Sequence, residues 1–295
     1  MEEQFVKTRL ISLRLRRPRR SRKYEAGALR LLVRAPAGER PNLQSRRPRV
    51  RIFLKGGGES AFLALARALV GDICRSRRKA YFLALSGGGS AAELFRVLAS
   101  GKVPAPDWSK VRFFWVDERC VPPESPESNF GNANRLFLTP LAIPPENVFA
   151  IDGKNSPEAE ARRYSKIALE NVPLAPDGMP RFDCAVLGMG ADGHTASIFP
   201  KVPQKKTRAP YAAWTNPQNG GRRVGMTERA LLAAKIILCP ITGEKKERAF
   251  RRVIEESRSS RQSLPAARVF ARAKRVDIFT DIPPSDSAED SVPQK

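Results

Sequence analysis

Apolar residues between positions 49 and 281 fall into two alternating patterns. The runs at Val50–Leu54, Tyr81–Leu85, 111–116, 182–187, 236–239 and Val276–Thr280 are almost continuously apolar, which predicts strands buried on both faces. Between them, apolar residues recur at helical spacing, as in Phe62, Leu65, Ala66, Leu69 and Ile73 over residues 61–73. Further helices are predicted over residues 91–98, near 132–138, over 156–171, over 227–234 and over 244–255. Ser156-Pro157-Glu158 reads as a helix start: a capping hydroxyl, a proline at the first position and an acid near the positive helix end. Thr227 is a second predicted cap. Strands alternating with helices predict an α/β fold, a mostly parallel sheet with helices on both faces in a Rossmann-like open sandwich.

The two ends break this pattern. Residues 1–48 contain the run LRLRRPRRSRK and are rich in Arg and Pro, with no apolar period long enough to bury a face. They read as a basic, disordered N-terminal extension, residues 49–281 as the folded domain, and residues 282–295 as a disordered C-terminal tail. A secretory signal is not expected, because no apolar segment follows the charges. A transit peptide is compatible with the Arg and Ser content, but Glu2 and Glu3 argue against it. Translation from an upstream start codon would also explain the extension. No stretch approaches the roughly 18 apolar residues of a transmembrane helix.

Charge points in the same direction. Lys and Arg total 53 against 30 Asp and Glu, a net charge of +23, which by itself suggests an anionic partner such as nucleic acid or a phosphorylated metabolite. Residues 1–49 hold 15 of the basic and four of the acidic residues, so nearly half the excess lies in one sixth of the chain. The folded domain is therefore not expected to bind nucleic acid. Cys74, Cys120, Cys184 and Cys239 are isolated, with no CxxC and no neighbouring histidine. They read as reduced thiols of a cytoplasmic protein, with no metal site and no cofactor expected.

In an open parallel sheet, ligands bind beyond the carboxyl ends of the strands. Three such ends carry unusual residues. Ser86, Gly87, Gly88, Gly89 and Ser90 lie between a predicted strand and helix, where bare backbone N–H groups and a helix N-terminus suit a phosphate. A tight turn would need the same residues, and the motif is neither a Walker loop nor GxGxxG. The triplet Gly56-Gly57-Gly58 is assigned to turn geometry. Asp117-Glu118-Arg119 directly follows a buried run, a costly place for charge unless it faces a cleft. Third, Asp192 and His194, the chain's one histidine, sit two residues apart on the turn GMGADGHT. Imidazole accepts a proton near neutral pH, so this pair is the candidate acid–base site. A Ser-His-Asp triad is not supported, because GxSxG is absent.

FWVDERCVPPESPESN followed by LGMGADGHTASIFP resembles the 6-phosphogluconolactonase family, as do LALSGGGSAAELFRVLA, RRVGMT, ITGEKKERAF and SLPAARV in that order. The resemblance covers roughly residues 50–281. Glucosamine-6-phosphate deaminases share the glycine loop, but they continue past the loop histidine as Ile-Ala-Phe-Asn-Glu-Pro, where this chain has Thr195-Ala196-Ser197-Ile198-Phe199-Pro200. The glycine loop departs from the family's SGG-(Ser/Thr)-Pro in having Gly89 before Ser90 and Ala91 in place of the proline.

The resemblance implies hydrolysis of 6-phospho-D-glucono-1,5-lactone in the oxidative branch of the pentose phosphate pathway, with no cofactor and a sugar-phosphate lactone as partner. It makes His194 the general base, with Asp192 holding the imidazole and Arg119 a candidate oxyanion donor. It assigns the 6-phosphate to Ser86, Gly87, Gly88, Gly89, Arg223 and Lys246, with Arg222 and Lys245 as adjacent alternatives. Asp117 and Asn129 occupy motif positions, either to meet sugar hydroxyls or to brace the loop. The competing readings are an amino-sugar phosphate deaminase/isomerase and a basic nucleic-acid binder. The sequence leaves the oligomeric state open.

Overall fold

The apolar runs become the strands of one sheet. The computed structural model describes residues 30–32, 50–205 and 207–283. In chain order its elements are β1 (Arg30–Leu32), β2 (Val50–Leu54), α1 (Gly58–Arg75), β3 (Tyr81–Leu85), α2 (Gly89–Ala99), β4 (Val111–Trp115), β5 (Asp117–Arg119) and α3 (Asn129–Ala133). They continue with α4 (Pro157–Asn171), β6 (Cys184–Val186), β7 (Tyr211–Thr215), β8 (Arg222–Met226), α5 (Glu228–Ala233), β9 (Ile236–Ile241), α6 (Glu247–Arg258), α7 (Pro265–Arg272) and β10 (Val276–Thr280). The large sheet has the order β1-β2-β10-β9-β6-β3-β4. The six strands from β2 to β4 are all parallel, as continuous apolar strands joined by helices must be.

β1 runs antiparallel to β2, with Arg30 opposite Phe53 and Leu32 opposite Arg51. It falls inside the stretch expected to be a disordered extension. Three strand residues between basic stretches offer no period for a sequence reading to detect. The rest of residues 1–48, and residues 284–295 of the expected C-terminal tail, lie outside the described residues.

A second sheet was not anticipated. β5, β8 and β7 form a three-stranded antiparallel sheet in the order β5-β8-β7, with Asp117 opposite Gly225 and Trp214 opposite Arg223. The charged triplet that follows the buried run is therefore itself a strand. Its chain leaves the large sheet at Val116, whose N–H still bonds Leu85 O at 2.8 Å, and enters the small one.

The core lies on both sides of the large sheet. Phe114 stacks on Phe149 at 4.5 Å and meets Phe182 edge-on at 5.4 Å. Phe95, Phe113 and Phe137 fill the space between α2 and β4. Truncating one such buried ring to Ala typically costs about 3–5 kcal/mol, so this framework is a rigid support for the loops at its carboxyl end. α1 packs on α2 and against β9 and β10, while α6 packs on α7. Thr227 caps α5 through Ala230 N–H as predicted, whereas Ser156 makes no side-chain cap and Pro157 alone marks the start of α4. Among the described residues no helix is long and apolar enough to cross a membrane.

Candidate active site

The three unusual strand ends belong to β3, β4 and β6, and Lys246 follows β9. In the sheet these four strands are neighbours, in the order β9-β6-β3-β4. Residues up to 160 positions apart are thus brought to one rim.

The loop after β6 is tied down by its own backbone. Gly190 N–H donates to His194 O at 2.9 Å, Gly193 N–H donates to Gly190 O at 3.0 Å, and Thr195 Oγ1 donates to Gly188 O at 2.7 Å. Asp192 Oδ1 accepts from His194 N–H at 3.0 Å and lies 2.6 Å from His194 Nδ1. Its other oxygen accepts from Gln218 Nε2 at 3.3 Å, reaching across from the turn between β7 and β8. With Nδ1 turned to the carboxylate, Nε2 is the nitrogen left to accept a proton. Gly190 is required by close approach: a Cβ there would sit 2.1 Å from His194 Nδ1 and 2.7 Å from Asp192 Oδ1. α7 buttresses the turn, because Ala266 N–H donates to Gly193 O at 3.1 Å. This explains the position of the SLPAARV block.

The glycine loop is joined to the histidine loop by Ser86, whose Oγ accepts from Gly188 N–H at 3.3 Å. Gly88 has φ 83° and immediately precedes α2, and Gly89 is the first residue of that helix. Gly87 faces Asn129: an added Cβ would meet Asn129 Oδ1 at 1.7 Å. That Oδ1 is buried without a partner, an uncommon state for a buried acceptor. Asn129 Nδ2 donates to Asp117 O at 2.7 Å.

Asp117 is buried and braced. Its Oδ2 accepts from Ser197 Oγ at 2.7 Å, and Arg223 Nη1 stands 3.8 Å away. This bond fastens the histidine loop to the small sheet across 80 residues of sequence. Arg223 also lies over the Phe199 ring at 5.8 Å, and the same ring is 5.1 Å from the His194 imidazole. Burial lowers the pKa of Arg223, opposed by the nearby Asp117 carboxylate. Arg222, the neighbouring alternative, points away and pairs with Glu158 on the surface.

Lys246 Nζ donates to Ser90 Oγ at 2.9 Å, at the end of the glycine loop. Burial holds its pKa below the usual lysine range, with Cys239 and Asp281 opposing. The alternative, Lys245, is exposed. A desolvated ammonium whose contact is a hydroxyl is suited to an incoming anion.

Glu118 was part of the motif, but its role was not legible in the sequence. It is 1% exposed and accepts four bonds, from the N–H groups of Arg119, Asn129 and Phe130, each at 2.7 Å, and from Ser128 Oγ at 3.0 Å. Burial raises its pKa, and the four donors oppose that shift. Glu118 thereby folds the segment carrying Asn129 back onto β5. Arg119 Nη1 donates to Glu127 O, while its Nε is buried without a partner. Ser197, Phe199 and Gln218 were given no role from the sequence. Their contacts cross between loops and leave no local signal. Among the described residues no His, Cys, Asp and Glu cluster able to hold a metal ion is formed.

A family profile described as "Glucosamine-6-phosphate isomerases/6-phosphogluconolactonase" matches residues 58–278. A 6-phosphogluconolactonase of Treponema pallidum (strain Nichols) is 41% identical over 167 residues, which is 56% of this chain and 69% of the relative. One from Haemophilus influenzae is 34% identical over 200 residues, covering 68% of this chain and 84% of the relative. The crystal structure of 6-phosphogluconolactonase from Thermotoga maritima superimposes with a TM-score of 0.64 at 26% identity, covering 78% of this chain and 97% of that one. With its two sheets, its joined glycine and histidine loops and these relatives, the chain belongs to the glucosamine-6-phosphate isomerase/6-phosphogluconolactonase family, on the 6-phosphogluconolactonase side.

Proposed function

We propose that this protein hydrolyses 6-phospho-D-glucono-1,5-lactone to 6-phospho-D-gluconate, with His194 activating the water. The observation that carries this reading is the Asp192–His194 pair at 2.6 Å on a loop joined, through Ser86, to the glycine loop and Lys246. Asp192 accepts from Nδ1–H, so His194 Nε2 takes a proton as the water oxygen bonds to the lactone carbonyl carbon. The carbonyl electron pair moves onto oxygen. When it returns, the bond from that carbon to the ring oxygen breaks, and the imidazolium supplies the proton that the departing oxygen needs. A lactone is an activated ester, so this path requires no covalent nucleophile.

Lys246, Arg223 and the N–H groups of residues 86–89 take the 6-phosphate. Arg119 and loop N–H groups are the donors for the developing oxyanion. Asn129 Oδ1, unpartnered beside Gly87, accepts from a sugar hydroxyl. Asp117 braces the two loops. Four free thiols and the absence of a membrane-crossing helix among the described residues support a cytoplasmic setting. The test is lactone hydrolysis by the purified protein, measured against the fast spontaneous background. Ammonia release from glucosamine 6-phosphate, without acceleration of lactone opening, would replace this reading with the deaminase.

A further inference from the structure

We propose that the protein carries a second anion site, on the opposite side of the sheet from the glycine loop, shaped for a small polyphosphate. A groove of about 320 Å³ crosses the amino-terminal ends of β3, β6, β9 and β10, where Tyr81, Asp183, Ile236 and Arg275 stand. Its wall holds Arg75, Arg77, Arg78, Lys235 and Arg275 against only Asp72 and Asp183. The catalytic candidates lie beyond the carboxyl ends of β3, β4, β6 and β9 or on the small sheet, and none of them lines this groove, so it is a separate place.

Both carboxylates are already occupied. Asp183 accepts from Phe82 N–H at 3.0 Å and from the Lys235 ammonium, with Arg78 3.6 Å away. Asp72 accepts from the Tyr81 hydroxyl at 2.7 Å and lies 3.6 Å from Arg75. Arg275 leans on Asp277 in β10, and Arg51 shares that acid. With this outer pair included, six cations face three carboxylates. Arg77 makes no ion pair among the described residues, and Lys79 extends the basic run. The carboxyl end of α1 contributes only partial negative charge here, and the run that follows it outweighs that.

This excess defines the ligand. Guanidinium forks match phosphate oxygens, and cations spread over the ends of β3, β9 and β10 suit two or three linked phosphoryl groups better than one. Tyr81 and Ile236 are 2% and 5% exposed, so the wall offers no ring face on which a base could stack. The site thus recognises a phosphate chain, whether free or on a nucleotide.

Calorimetric titration of the full chain with tripolyphosphate, ATP and orthophosphate tests this. Tripolyphosphate and ATP should bind with similar affinity, orthophosphate more weakly, and added salt should weaken all three. The exposed pair Arg77→Glu/Arg78→Glu should weaken tripolyphosphate binding at least about tenfold with lactone turnover unchanged, whereas Lys246→Ala should leave tripolyphosphate bound. If the double variant fails to fold by circular dichroism, Arg77→Ala gives the same comparison. Unchanged affinity in the groove variant overturns the proposal, as does loss of binding in Lys246→Ala alone. A tenfold preference for ATP would demand a base contact that the groove lacks, and would overturn it too. A parallel titration with duplex DNA gives a further outcome: DNA binding lost in Arg77→Glu/Arg78→Glu with tripolyphosphate affinity retained would overturn the proposal and assign the surface to nucleic acid.

Discussion

Asp192 Oδ1 meets both the Nδ1 of His194, at 2.6 Å, and the backbone N–H of the same residue, at 3.0 Å. One oxygen thereby fixes the imidazole at its ring and at its root. No other histidine exists in the chain to substitute. His194→Asn should therefore keep the fold and phosphate binding while lowering the lactonase rate by at least about a hundredfold. A thermal melt run beside the assay separates chemistry from stability: a folded variant with near-native turnover would leave the mechanism without its base.

Gly190→Ala tests the same pair without touching either member. The new methyl group would occupy the space of His194 Nδ1, 2.1 Å from it. Turnover should drop about tenfold or more as the ring is displaced, while the binding of a phosphorylated competitor changes little. Equal losses of both would mean that the whole loop has rearranged.

Lys246 supplies a pH signature. Burial lowers its pKa, so the free protein loses this positive charge at lower pH than an exposed lysine would. The charged form binds phosphate, so kcat/KM should decline on the alkaline side. Lys246→Arg keeps its charge throughout and should push that decline to higher pH. Lys246→Ala should raise KM more than it lowers kcat. An alkaline limb unmoved by the arginine variant would assign it to another group.

Glu118 accepts four hydrogen bonds, and an amide cannot accept all of them. Glu118→Gln places an NH₂ against at least one N–H or O–H donor. We expect a loss of roughly 2–3 kcal/mol in unfolding free energy, with activity reduced because Asn129 is no longer held against the glycine loop. Urea unfolding followed by fluorescence measures the first quantity, and an unchanged midpoint would refute it.

The parallel core was legible because its strands are apolar on both faces. Leu83, Leu85, Phe113 and Phe114 read as continuous runs, and the chemistry follows directly after such runs. The small sheet was illegible for the complementary reason. β5 is Asp117, Glu118 and Arg119, and β8 begins with Arg222 and Arg223, so charge masks the strand pattern where those side chains face loops and cleft. His194, Asp192 and Lys246 were found through local context or resemblance. Ser197 could not be found, since what gives it meaning is Asp117, brought near only by the fold. The structure also separates Arg223 from Arg222: adjacent residues of one strand point to opposite sides.

The short antiparallel strand β1 has a consequence for how copies of the protein meet. β2 would otherwise be the outermost strand on that side, with a row of backbone donors and acceptors open to any other chain. Arg30, Leu31 and Leu32 occupy part of that row, opposite Phe53, Ile52 and Arg51. Bare strand margins nucleate pairing between molecules. A chain shortened to begin near residue 49 should thus hydrolyse lactone at the full rate in dilute solution, yet self-associate as its concentration rises. Light scattering over a dilution series would register that difference, and a melting curve would miss it. The basic segment would then serve the protein by keeping neighbouring sheets from joining, whether or not it touches any substrate.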